Sequence, residues 1–73
     1  MSEISGSKLK QIREERHIPL EQVAKATRIR LSILQDLEAD EYADLGSRAQ
    51  IRGFLKIYAA FLGVPLEETA PQT

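Results

Sequence analysis

Apolar residues recur along this chain every three or four positions, the period of an α-helix, with no sustained alternation of the kind a strand requires. Leu9 and Ile12 face inward on a first helix that runs through about Arg16 and is capped by Ser5 or Ser7. His17 occupies the place where a glycine often ends such a helix. Pro19 can serve as the first residue of a second helix, from Leu20 to about Ala26, with Val23 and Ala24 turned in. Thr27-Arg28-Ile29 is a tight connection, after which Ile33, Leu34 and Leu37 mark a third helix ending near Ala39. Residues 41 to 46 form a loop anchored by Tyr42 and Leu45. Ser47 caps a long fourth helix, Gly63 ends it, and Pro65-Leu66-Glu67-Glu68 reads as the start of a fifth. The expected fold is all-α, with five helices in residues 6–68, a short tail over 1–5, and a tail or linker start over 69–73.

The fourth helix carries more apolar surface than one core can use. At about 100° per residue, Ile51, Leu55, Tyr58 and Leu62 fall within roughly 60° of one another and form one stripe. Phe54, Ile57 and Phe61 form a second stripe beside it. Such a helix is wrapped by its own domain or offered to a partner, and 73 residues provide little wrapping. The first and fifth helices can cover Phe61. Phe54 is the more exposed position, because Gly53 thins the helix beside it and admits close approach from outside. Arg52 and Lys56 are expected to flank Phe54 and would meet an acidic rim on the partner.

Composition removes several classes of function. There is no cysteine and only one histidine, so neither a disulfide, a thiolate metal site nor a histidine cluster can form, and no cofactor is implied. His17 has no serine, cysteine or aspartate constellation that the sequence assigns to it, and no enzymatic activity is expected. No apolar run is long enough to cross a bilayer, and Met1-Ser2-Glu3 lacks the basic-then-apolar start of a secretion signal. A cytoplasmic location follows as the expectation. The net charge is −1, yet residues 8 to 30 carry +4 and residues 36 to 44 carry −5, so the molecule should be electrically two-sided. Lys8, Lys10, Arg13 and Arg16 are expected to form a solvated helix face interrupted by Glu14 and Glu15. The acidic run lacks the spaced ligands and central glycine of a calcium loop and is expected to be solvated as well.

Two short helices joined by a tight turn, the second amphipathic, describe a helix-turn-helix. Leu20-Glu21-Gln22-Val23-Ala24, Ile29 five positions on, and Leu34 with Leu37-Glu38 resemble the framework of phage-repressor-like (Xre-type) helix-turn-helix domains. Arg52-Gly53-Phe54-Leu55, Tyr58-Ala59 and Leu62-Gly63 extend the likeness to the N-terminal cytoplasmic domain of RodZ-like bacterial cell-shape proteins. The resemblance covers residues 6 to 68. It implies a five-helix repressor-like domain that docks onto an actin-like, MreB-type filament protein through the fourth helix and neighbouring loops. It also implies a tether to one membrane helix, which would lie downstream of this chain, at the cytoplasmic face of the inner membrane. Two aromatic contact positions of that family fall here on Gln50 and Phe54, of which only Phe54 matches. The partner-binding set is accordingly Phe54, Gln50, Arg52, Lys56 and Ile57.

The alternative is a DNA-binding regulator of the Xre type. A recognition helix sets its first residues against base edges, here Arg30, Leu31, Ser32, Gln35 and Asp36, with Arg28 within reach of a phosphate. Asp36 and the carboxylates that follow oppose the phosphate backbone. Leu20 stands where repressor-like domains usually have a phosphate-binding glutamine, and Arg28 replaces the expected turn glycine.

Overall fold

The computed structural model describes residues 5–66, which form four α-helices and no strand. Helix α1 is Gly6–Glu15, α2 Leu20–Thr27, α3 Leu31–Glu38 and α4 Arg48–Leu62. Both α1 and α2 pack against α3 and α4. At the junction of the four lie Leu9, Val23, Ile29, Leu34, Leu37, Leu55, Tyr58, Ala59 and Leu62. The inward positions read from the period are largely these, with Ile12, Ala24 and Ile33 half-buried at the rim.

The helix ends follow from their residues. Ser5 caps α1, its hydroxyl accepting from the Lys8 amide at 3.2 Å. Two further free amides of that first turn are satisfied from the α3–α4 loop. Gly6 donates to the Tyr42 hydroxyl and Ser7 to Asp40 Oδ1, both at 3.2 Å. Ser47 and Gln50 exchange side-chain and backbone bonds in a capping box that starts α4, and Gly63, at φ 74°, ends it. Pro19 differs slightly from expectation: it is the extended residue before α2, at ψ 147°, and the helix continues to Thr27.

The fifth helix is not matched. After Gly63 the Val64 amide turns back to the Ala59 carbonyl, Pro65 has no amide to donate, and Val64 to Leu66 are non-helical. Glu67 and Glu68 lie outside the described residues, which therefore hold four helices where five were expected.

His17, Arg28 and Asp40 end the first three helices in the left-handed region, at φ 57°, 64° and 57°. Side chains other than glycine, asparagine and aspartate are strained there, by about 1 to 2 kcal/mol. Arg28 fills the αL position between α2 and α3, so Arg28→Gly should raise stability. The expected net gain is about 0.5 to 1 kcal/mol after glycine's larger unfolded-state entropy is deducted. Urea midpoints at unchanged slope will measure it. A loss of stability would show that the Arg28 side chain makes a compensating contact.

Candidate interaction surfaces

Helix α4 presents two different flanks on either side of its buried stripe. Leu55, Tyr58 and Leu62 are buried and Ile51 half-buried, as the period requires. On one flank lie Gln50, Phe54, Ile57 and Phe61, within about 60° of one another at 100° per residue. Among the described residues Ile57 is the large apolar side chain most open to solvent, 47% exposed, whereas Phe54 and Phe61 are half-buried against the core. Phe54 is thus partly exposed, but no more clearly so than Phe61, and the exposed member of the stripe is Ile57. Nothing lies within 4 Å of the position a Gly53 Cβ would take, so that helix face is open as expected.

Arg52 and Lys56 do not flank Phe54. Positions two apart on a helix point about 160° apart, measured the short way, which sends both cations to the other flank. There Arg48, Ile51, Arg52 and Leu55 join Tyr42 of the loop in lining an open hollow of about 530 Å³. Gln50 is exposed, but its side chain is engaged: Oε1 accepts from the Ser47 amide at 3.0 Å. An aromatic at this position would remove half of the capping box.

On the α3 side, Arg28, Arg30, Ser32 and Gln35 are all exposed, and Leu31 is half-buried. Asp36, half-buried on the same helix, opens a second hollow of about 470 Å³, lined further by Asp40, Glu41, Tyr42, Ala43 and Asp44. Tyr42 borders both hollows. It donates to Asp40 Oδ1 at 2.7 Å. Burial raises the Asp40 carboxyl, but hydrogen bonds from Tyr42, Ser7 and Gly6 outweigh it and hold the group below its usual range. Burial and the bond to Asp40 push the Tyr42 hydroxyl up.

Two charged residues assigned to the solvated faces are instead internal. Glu38 is 7% exposed, and Arg13 Nε and Nη2 reach its two oxygens at 2.8 and 3.1 Å in a bidentate pair. The Tyr58 hydroxyl donates to the same carboxylate, and Arg13 Nη1 donates to the Ile18 carbonyl at 2.8 Å. This network joins α1, α3 and α4 through groups that each have a partner. The bond to Glu38 raises the Arg13 pKa, and burial followed by its own bond to Glu38 pushes the Tyr58 hydroxyl far above its ordinary value. A signal existed in the sequence: Glu38 stands four positions after Leu34, on the inward stripe of α3. Arg16, expected in solvent, is exposed yet donates to the Leu62 carbonyl.

Among the described residues no group of His, Cys, Asp or Glu is arranged to hold a metal ion, and no helix is long and apolar enough to cross a membrane.

Comparison with known proteins bears on the whole of this arrangement. A family model described as a helix-turn-helix domain matches residues 8–69. An uncharacterized protein of Haemophilus influenzae is 38% identical over 61 residues, 82% of this chain and 20% of that protein. The chain thus spans about one fifth of the length of this curated relative. No solved structure gives a significant match.

Proposed function

Since this chain belongs to the helix-turn-helix domain family, we propose that it is a non-catalytic binding module whose working surface is the apolar flank of α4. Its proposed partner is an actin-like, MreB-type filament protein, as the resemblance to RodZ-like cell-shape proteins implies. The observation that carries this reading is Ile57, 47% exposed beside the half-buried Phe54 on a helix whose other stripe already fills the core. An exposed aliphatic anchor with an aromatic neighbour and an open glycine alongside suits a protein interface. The longer relative supports a module carried within a larger protein.

DNA binding is the second reading, and the exposure of Arg28, Arg30, Ser32 and Gln35 at the start of α3 favours it. Against it stand the four carboxylates of the neighbouring hollow, where a duplex would bring its phosphates.

Co-sedimentation with MreB-type filaments separates the two. Ile57→Ala should leave the melting curve almost unchanged, within about 0.5 kcal/mol, because the side chain is half in solvent. It should remove about 2 kcal/mol or more of filament binding. Phe54→Ala should weaken both, since its ring also packs on the core. A parent chain that ignores filaments but prefers one DNA duplex about a thousandfold, with Gln35→Ala abolishing the preference, would transfer the function to α3.

A further inference from the structure

We infer that the two hollows on either side of Tyr42 form a self-complementary interface for a second copy of this chain. One hollow is lined by Asp36, Asp40, Glu41 and Asp44, the other by Arg48, Arg52 and the apolar Ile51 and Leu55. They are similar in size, about 470 and 530 Å³, and Tyr42 lines both. Opposite charges placed side by side have a specific geometric consequence. A two-fold rotation about an axis near Tyr42 sets each copy's acidic hollow against the other's basic one, which is the matching that an isologous dimer requires.

The placement of these charges supports a role outside their own helices. Helix C-termini favour cations and N-termini favour anions. Here Asp36 and Glu41 sit at or just beyond the C-terminus of α3, where Asp40 is engaged by the first turn of α1, while Arg48 is the first residue of α4. Each local preference is reversed, and such reversals mark residues retained for a purpose other than stability. With a net charge of only −1, two copies meet without strong long-range repulsion. Tyr42 and Ile51, both half-buried, add apolar area at the centre.

This dimer would leave the Phe54 and Ile57 flank uncovered, because that flank and Arg52 lie on opposite sides of α4. The paired module would present two such flanks and gain from bivalent attachment to any repeating partner. The inference does not depend on what that partner is.

Sedimentation equilibrium of the 73-residue chain, in EDTA to exclude metal bridging, tests it. A dimer is expected whose dissociation constant rises about tenfold or more between about 20 and 500 mM sodium chloride, as screening predicts. Asp44→Arg and Arg48→Glu should each weaken self-association about tenfold or more, by setting like charges against one another. An equimolar mixture of the two variants should recover dimer, because in the mixed pair the introduced charges face each other and the remaining native ones do too. Glu41→Lys replaces Asp44→Arg if the latter melts below the parent. A parent that stays monomeric at millimolar concentration in low salt would overturn the interface, as would a mixture that associates no better than the separate variants. Association that appears only when a divalent cation replaces EDTA would reassign the acidic hollow to metal.

Discussion

Glu38→Ala should destabilise this domain by about 3 to 5 kcal/mol, the loss expected when one partner of a buried, hydrogen-bonded ion pair is removed. The Arg13 side chain is only 11% exposed, so its guanidinium would keep its charge with only the looser, largely solvated Glu14 carboxylate 3.8 Å away. The Tyr58 hydroxyl, in a residue with no exposed surface, would lose its acceptor at the same time. A domain of this length has about 4 to 11 kcal/mol of stability in all, and the variant should approach the unfolded state at room temperature. Replacing both charges, Arg13→Met with Glu38→Leu, should recover most of the loss, because apolar side chains of similar volume carry no desolvation penalty. Guanidinium titrations followed by circular dichroism will compare them. A Glu38→Ala domain as stable as the parent would mean that the network contributes nothing.

The same network sets an alkaline limit. Tyr58 is protonated in the fold and has its pKa raised by burial and by Glu38. Its contribution is fully present below the unfolded value of about 10 and declines as pH climbs beyond it, since the unfolded chain releases that proton first. Tyr58→Phe should flatten that alkaline slope.

The contrast between what the sequence revealed and what it hid follows from the range of the forces involved. Ser47, Gly63, Leu34 and Leu55 act through neighbours within one or two turns, and their spacing was enough to place helices and core. Glu38 and Arg13 are 25 residues apart and meet only once α1 packs on α3, so counting charges along the chain put both in solvent. The period of α4 marked Phe54 and Ile57 as one stripe but could not say how far the core would rotate it, and the structure leaves Ile57 the more exposed. Arg52 and Lys56 were misplaced because each stands two positions from Phe54, which on a helix is nearly opposition in space. The helix-turn-helix was legible because its turn is local: Thr27 accepts from the Ile29 amide at 3.2 Å, and Arg28 makes the left-handed step between them.

Gly6→Ala is the second change expected to have a large effect, and glycine matters here for space, since Gly6 is helical. Gly6 is the buried first residue of α1, and a Cβ added there would overlap the backbone carbonyl of Leu37 in α3. Backbone cannot rotate out of the way as a side chain can, so α1 must lift from α3. Overpacking in a tight interior costs about 1 to 3 kcal/mol, occasionally more, and this site should lie at or above the upper end. Lifting α1 also pulls the Gly6 amide from Tyr42 and the Ser7 amide from Asp40, leaving donors of the first turn unpaired. It loosens Leu9, which is wholly buried. Gly53→Ala is the internal control: nothing lies within 4 Å of its new methyl, and a mid-helix alanine should instead stabilise by about 0.5 to 1 kcal/mol. One substitution type should therefore move the melting temperature down at one glycine and up at the other. If Gly6→Ala melted with the parent, the close approach of α1 to the end of α3 would be wrong. The clamp that Tyr42 and Asp40 place on α1 would then fall with it.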